Sequence, residues 1–126
     1  MNVASRVLAL TMVLLGTGLL AGCSGGEVDE SLPEDARVGA ELARSEGCMA
    51  CHSTDGRSSV GPTWEGLYGS EVELEDGTTV VADDEYLTRA IEDPGAERVK
   101  GFSATMPDRK LSSDEIASIV AYLQTL

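Results

Sequence analysis

The stretch that decides the fold is Cys48-Met49-Ala50-Cys51-His52, in which two cysteines stand two residues apart and a histidine follows the second. Two thiols on one tight turn can each form a thioether bond with one of the two vinyl groups of a haem. The histidine that follows can then present its imidazole to the iron. The spacing therefore predicts one covalently attached haem c, bound through Cys48 and Cys51, with His52 as an iron ligand.

Three other kinds of site could use the same residues. A redox-active dithiol has two cysteines at this spacing, but it needs no histidine and favours a strand-to-helix junction that this region lacks. A structural zinc ion requires four ligands. After residue 22 the chain offers four thiol and imidazole side chains only if Cys23 is counted as one of them. A disulfide between Cys48 and Cys51 could form in an oxidising compartment, but it would leave the long glycine-rich middle without a core.

The sixth iron ligand is predicted by elimination. His52 is the only histidine in the chain, so ligation by two histidines is excluded. Of the methionines after residue 22, Met49 lies inside the attachment turn on the same side as His52. Met106 lies far along the chain, is followed by Pro107, and has no apolar pattern around it that would place it in a core. Met106 is therefore the predicted second axial ligand.

The beginning of the chain has the features of an exported protein. Residues 1–22 contain one early positive charge, an apolar run and the ending Leu-Ala-Gly before Cys23, which predicts a secretory signal peptide. The ending resembles a bacterial lipobox, and this implies a lipid on Cys23; an ordinary signal peptide or an uncleaved anchor are the alternatives. Residues 23–32 are rich in Gly, Ser and acidic residues and predict a flexible tether. We expect an extracytoplasmic protein that is lipid-anchored to a bacterial membrane, on the periplasmic side or the cell surface.

The remaining residues, 33–126, form one small domain with a strongly acidic balance. The full chain has 22 acidic and 9 basic residues and a formal net charge of −13, which disfavours nucleic acid and favours basic partners. It contains one Phe, one Trp and three Tyr, too few large apolar side chains for a core of ordinary strength. Small domains of this kind need a staple such as a cofactor.

Local signals predict three helices. Ser31 is a candidate cap for a helix that runs from about residue 33 to residue 45. Asp83 or Asp84 can cap a second helix, which Pro94 stops. Ser112 begins a capping-box pattern followed by apolar residues at helical spacing, which predicts a third helix at the C-terminus.

The middle of the chain predicts little regular structure apart from one hairpin. Residues 53–69 are rich in glycine and are expected to be mostly loop. Two short alternating segments, 72–75 and 78–81, flank Asp76-Gly77, which is a strong signal for a two-stranded hairpin. The predicted fold is therefore all-α, with short helices around one covalent haem and a small β-hairpin insertion.

The chain resembles class I cytochromes c, and within them the cytochrome c domain of haem-copper oxidase subunit II. Beyond the haem motif, the resemblance is carried by Gly61-Pro62-Thr63-Trp64, Gly66-Leu67-Tyr68-Gly69, Asp76-Gly77, Gly101-Phe102, Met106-Pro107 and Ala121-Tyr122-Leu123. The oxidase domain follows transmembrane helices and a copper-binding domain, and this sequence contains neither. We therefore expect a stand-alone lipoprotein.

The resemblance also implies roles for individual residues. The N- and C-terminal helices are expected to cross beside the haem, and the Pro62 carbonyl is expected to accept a hydrogen bond from the His52 ring. Leu67 and Tyr68 are expected to line the haem edge. At the helix crossing, many relatives have a large aromatic residue where this chain has Ala43, which would weaken the contact with Tyr122.

A haem with two protein ligands has no open position for a substrate, which predicts an electron carrier and not an enzyme. The expected role is transfer of single electrons in a respiratory chain, from a quinol-oxidising complex to a haem-copper terminal oxidase. Two alternatives remain at this stage: a fixed haem subunit of a larger respiratory or dehydrogenase complex, and a gas sensor or peroxidase if Met106 were displaced. Uncharged residues on the attachment turn (Met49-Ala50) and on the methionine loop (103–105) are the expected docking rim.

Overall fold

The computed structural model describes residues 29–126. The predicted signal peptide (1–22), the predicted lipidation site Cys23 and most of the tether (23–32) lie outside the described residues. None of the helices in the described range combines the length and the apolar character needed to cross a bilayer.

Within the described residues, the chain forms three α-helices, one short 3-10 helix and one two-stranded antiparallel sheet. The elements are α1 (Glu34–Ser45), the 3-10 helix (Cys48–Ala50), β1 (Glu71–Glu73), β2 (Thr79–Val81), α2 (Asp84–Glu92) and α3 (Ser113–Leu123). This arrangement confirms the predicted all-α fold with a small hairpin.

The ends of the helices follow the local sequence signals at two of the three N-termini. The Asp83 side chain accepts a hydrogen bond from the backbone N–H of Tyr86 at 2.9 Å, which caps α2. Ser112 and Glu115 form a complete capping box at α3. The helix α1 is present as expected, but its predicted cap at Ser31 was wrong: Pro33 occupies the capping position, and the Ser31 N–H donates to the Asp29 carboxylate instead.

Helices α1 and α3 cross with their backbones in direct contact. A Cβ atom added to Gly39 would lie 1.8 Å from the carbonyl oxygen of Ser118, so only glycine fits there. Ala36, Ala40 and Ala43 are buried on the same face of α1, with Ala43 0% exposed. The small residue at position 43 therefore lies on the buried face of a helix that crosses its neighbour closely. Tyr122 contacts Trp64 instead of an aromatic on α1, with ring centroids 6.4 Å apart in an edge-to-face arrangement.

The hairpin predicted around Asp76-Gly77 is present, with Val72 paired to Val80. The Leu74 N–H donates to the Thr78 carbonyl at 2.8 Å, so the loop has three residues, 75–77, and not two. Gly77 supplies the positive φ of 86° that closes such a loop.

The segment 98–100 runs alongside the end of β1. Leu74 and Val99 form an isolated antiparallel bridge. The Lys100 N–H donates to the Glu73 carbonyl at 2.9 Å, and the Glu75 N–H donates to the Arg98 carbonyl at 2.8 Å. These bonds attach the hairpin to the loop that leads to Met106.

Candidate haem site

The described residues enclose a mostly apolar cavity of about 560 Å³. Its walls come from the 3-10 helix, the loop around residues 60–67, β1, α2, α3 and the loop 102–107. Its volume falls within the range of about 300–1,000 Å³ that is typical of pockets for organic ligands.

The attachment motif forms one wall of this cavity. Gly47, two residues after the end of α1, adopts a φ of +75°, which turns the chain into the 3-10 helix. The backbone N–H groups of Cys51 and His52 both donate to the Cys48 carbonyl at 3.1 Å. This tight turn places Cys48, Cys51 and His52 together on the cavity lining, as the spacing of the motif predicts.

The His52 ring has a defined tautomer. Its Nδ1 lies 2.9 Å from the carbonyl oxygen of Pro62. Because a carbonyl only accepts, Nδ1 carries the proton and the lone pair of Nε2 is left for a metal. Burial lowers the pKa of His52, and the Pro62 carbonyl opposes this only in part. The neutral imidazole that results is the form that binds iron.

Two residues hold the plane of the His52 ring. Trp64 stacks on it, with ring centroids 5.1 Å apart and planes 15° apart. A Cβ atom at Gly61 would lie 2.6 Å from His52 Cε1, so this glycine makes room for the ring. The Gly61 N–H donates to Cys51 O at 2.9 Å, and the Trp64 N–H donates to Ser53 O at 2.8 Å, which fixes this loop against the motif.

Sequence reasoning missed the Trp64–His52 stacking and named Trp64 only as part of a family pattern. A usable signal existed, because Trp64 is the only tryptophan and stands two residues after Pro62. A residue two positions from the predicted hydrogen-bond partner of His52 is well placed to touch its ring.

Met106 is half-buried and lines the same cavity as Cys48, Cys51 and His52. Phe102 and Pro107 from its own loop line the cavity as well, as does Leu67. The structure therefore brings the predicted ligands and attachment residues around one space, although 54 sequence positions separate His52 from Met106.

Tyr68, which the family resemblance placed at the haem edge, is the one predicted haem-binding residue in the described range that the structure does not bring to the cavity lining. Tyr68 is 39% exposed and is not among the residues that line the cavity. Its hydroxyl donates to the Asp84 carboxylate at 3.2 Å, and Gln124 donates to the same carboxylate at 2.6 Å. The Asp84 carboxylate, in the first turn of α2, therefore joins Tyr68 to Gln124 at the end of α3.

The residues around the cavity fit a c-type haem. Two thiols, an imidazole with a free Nε2 and a thioether are the donor set for covalent attachment and axial ligation. Cys48 and Cys51 are not joined by a disulfide. Burial raises the pKa of the Cys48 thiol, whereas redox-active dithiols have a lowered one. Across residues 29–126, no group of three or more His, Cys, Asp or Glu side chains is placed to hold a metal ion such as zinc.

Comparison with known proteins agrees with this geometry. The sequence model of the family described as Cytochrome c matches residues 36–126. This chain belongs to the cytochrome c family. It is a mono-haem electron carrier with one covalently attached haem c.

Individual relatives extend this result. Cytochrome c2 iso-1 of Magnetospirillum molischianum is 34% identical over 93 residues, which are 63% of this chain and 89% of that protein. The structure of cytochrome cH from Methylobacterium extorquens superimposes with a TM-score of 0.56 at 27% identity, covering 73% of this chain and 99% of that one. The class I cytochrome c fold of the chain is thus shown by sequence and by structure.

Proposed function

We propose that this cytochrome holds its iron between His52 and Met106 and passes single electrons along a respiratory chain to a terminal oxidase. The observation that carries the proposal is that His52 and Met106 line the same apolar cavity as Cys48 and Cys51. The haem, when bound, supplies a reversible one-electron change at iron. The resemblance to the cytochrome c domain of haem-copper oxidase subunit II supports an oxidase as the acceptor.

The protein's own contribution is to hold the His52 ring in one orientation. Pro62 holds Nδ1 of His52, and Trp64 and Gly61 fix the ring plane, so the ligand has little freedom to rearrange. Methionine ligation raises the reduction potential relative to a second histidine. With both His52 and Met106 bound to it, the iron would have no open position for a substrate, which supports a carrier role and not an enzymatic one.

The docking rim is assigned to the uncharged residues at the edge of the cavity. Ala50 on the attachment turn is exposed, as are Ser103, Ala104 and Thr105 on the methionine loop. Met49 is half-buried and packs against the core, so it contributes less surface than the sequence suggested. Acidic residues outside this rim would steer basic partners, with rates that fall as salt rises.

The anchor is part of the same proposal. Residues 1–22 act as a signal peptide, and Cys23 carries the lipid that holds the mature protein at the outer face of a bacterial membrane. A tether of ten residues at about 3.4 Å per residue would let the domain reach on the order of 30 Å from the bilayer. Replacing Cys23 with Ala should release the cytochrome from washed membranes with its haem spectrum unchanged; retention of the variant on membranes would contradict lipid anchoring.

The deciding experiment is the visible spectrum of the mature protein, oxidised and reduced, with and without carbon monoxide. We expect the weak red band of thioether-to-ferric-iron ligation, and a reduced spectrum that carbon monoxide leaves unchanged. Met106→Ala should lose the band and bind carbon monoxide, whereas Met49→Leu, the matched control, should do neither. Carbon monoxide binding by the unmodified protein would contradict the carrier proposal and favour gas sensing or peroxide chemistry.

A further inference from the structure

The loop that carries Met106 has few backbone restraints. In the part of the chain that the structure describes, residues 103–111 make no backbone–backbone hydrogen bond. The position of Met106 therefore depends on side-chain contacts and on how the two ends of the loop are held. A methionine thioether is a weak, neutral ligand, so movement of this loop would readily take Met106 off the iron.

Arg98 reaches the start of this loop. Its Nη2 donates to the Ser103 carbonyl at 3.1 Å and approaches the Phe102 carbonyl at 3.5 Å. The turn between them makes this possible, because the Phe102 N–H donates to Val99 O at 3.3 Å and Gly101 adopts a φ of +89°. That turn folds the two carbonyls back over the side chain that precedes it.

The other side of Arg98 is attached to the hairpin. Its carbonyl accepts from the Glu75 N–H at 2.8 Å. The Nε atom of Arg98 lies 3.0 Å from Glu75 Oε2, which is close enough for an ion pair. This Nε is buried, but it is poorly aligned with the carboxylate and makes no hydrogen bond. One guanidinium thus connects the tip of the hairpin to the first residues of the methionine loop.

We infer that Arg98 is a positioning residue that holds the loop 102–107 against the cavity so that Met106 stays on the iron. The inference rests on the proposed ligation by Met106. Arginine suits the role because its planar fork can face two carbonyls and a carboxylate at once, which the single ammonium of lysine does not do. Loss of a hydrogen bond from a charged donor shifts an equilibrium by about tenfold or more.

The test is a titration of the ferric haem-loaded protein with imidazole, which competes with Met106 for iron. Arg98→Gln should bind imidazole about tenfold more tightly than the unmodified protein. It should also show a weaker red thioether band at the same haem content. Arg89→Gln is the matched control: Arg89 forms exposed ion pairs with Glu85 and Glu97 and does not contact the loop, so its imidazole affinity should equal that of the unmodified protein.

Two further variants separate the contacts of Arg98. Glu75→Gln removes only the ion pair, so we expect a smaller change than for Arg98→Gln. Arg98→Lys keeps the charge and replaces Arg98→Gln in the test if Arg98→Gln does not acquire haem. We expect its imidazole affinity to lie between that of the unmodified protein and that of Arg98→Gln. Unchanged imidazole affinity in the Arg98 variants, with the red band present in the unmodified protein, overturns this inference alone. Absence of the band from the unmodified protein overturns both this inference and the ligation by Met106.

Discussion

His52 and Pro62 are joined by a hydrogen bond of 2.9 Å between Nδ1 and the carbonyl oxygen, which fixes the ring orientation. Gly61, which immediately precedes Pro62, is buried against the same ring. The position of the His52 ring thus depends both on the Pro62 carbonyl and on the lack of a side chain at Gly61.

Gly61→Ala should displace the His52 ring, because its Cβ would lie 2.6 Å from Cε1 and 2.9 Å from Nδ1. Overpacking of this kind lowers the free energy of unfolding by about 1–3 kcal/mol. We also expect less haem per protein and a weaker red band. Gly95→Ala is the control, since its Cβ would meet Asp93 at an ordinary 3.6 Å. Normal haem content and stability in Gly61→Ala would show that the ring can move without loss.

Local signals predicted the elements that depend on neighbouring residues. The capping box at Ser112 and Glu115 formed as expected, and the hairpin formed around Asp76-Gly77. Each is decided within a few residues, where turn and cap chemistry outweigh distant packing. The cysteine motif likewise indicated the cofactor because its spacing reflects the chemistry of attachment.

Contacts between distant segments were not predictable in the same way. Arg98 had no signature in the sequence, because its partners are a hairpin tip and two carbonyls exposed by a turn that follows it. From the sequence alone, Gly39 is only a residue with low helix propensity. Its role becomes visible only in the structure, where α3 packs directly against it. For Tyr68, the family pattern gives its position along the chain but not the partner of its hydroxyl, Asp84.

Gly39→Ala should be among the most destabilising single substitutions in the domain. The added Cβ would lie 1.8 Å from Ser118 O. The backbone of α1 fixes the position of that Cβ, and Ser118 O belongs to the backbone of α3, so neither atom can rotate away. We expect a loss of about 3 kcal/mol in the free energy of unfolding, measured by denaturant titration of the haem-loaded protein. Glu41→Ala, on the exposed side of the same helix, should change it by less than about 0.5 kcal/mol. Similar stabilities for the two variants would show that the helices separate easily.

The capping box of α3 should make stability depend on pH. Hydrogen bonds from the backbone N–H and the hydroxyl of Ser112 lower the pKa of Glu115 below its ordinary value of 4.5. Its contribution is therefore present above the unfolded-state pKa and is lost as pH falls through the lower folded-state pKa. The melting temperature of Glu115→Gln should be below that of the unmodified protein at pH 7, and the difference should shrink at pH 3. If the two melting temperatures differ by the same amount at both pH values, the effect comes from packing and not from the charge of Glu115.

Ala50→Glu should slow electron transfer to a protein partner without changing the haem spectrum. Ala50 is exposed at the edge of the cavity, and a carboxylate there would remain partly desolvated when the rim is covered by an oxidase. With membranes that contain a haem-copper oxidase, we expect oxidation of the reduced cytochrome to slow by about tenfold at low ionic strength. Ala96→Glu makes the same change at an exposed alanine that does not line the cavity, so its rate should stay close to that of the unmodified protein. Equal slowing in both variants would indicate a general effect of net charge, and no slowing in Ala50→Glu would place the docking rim elsewhere.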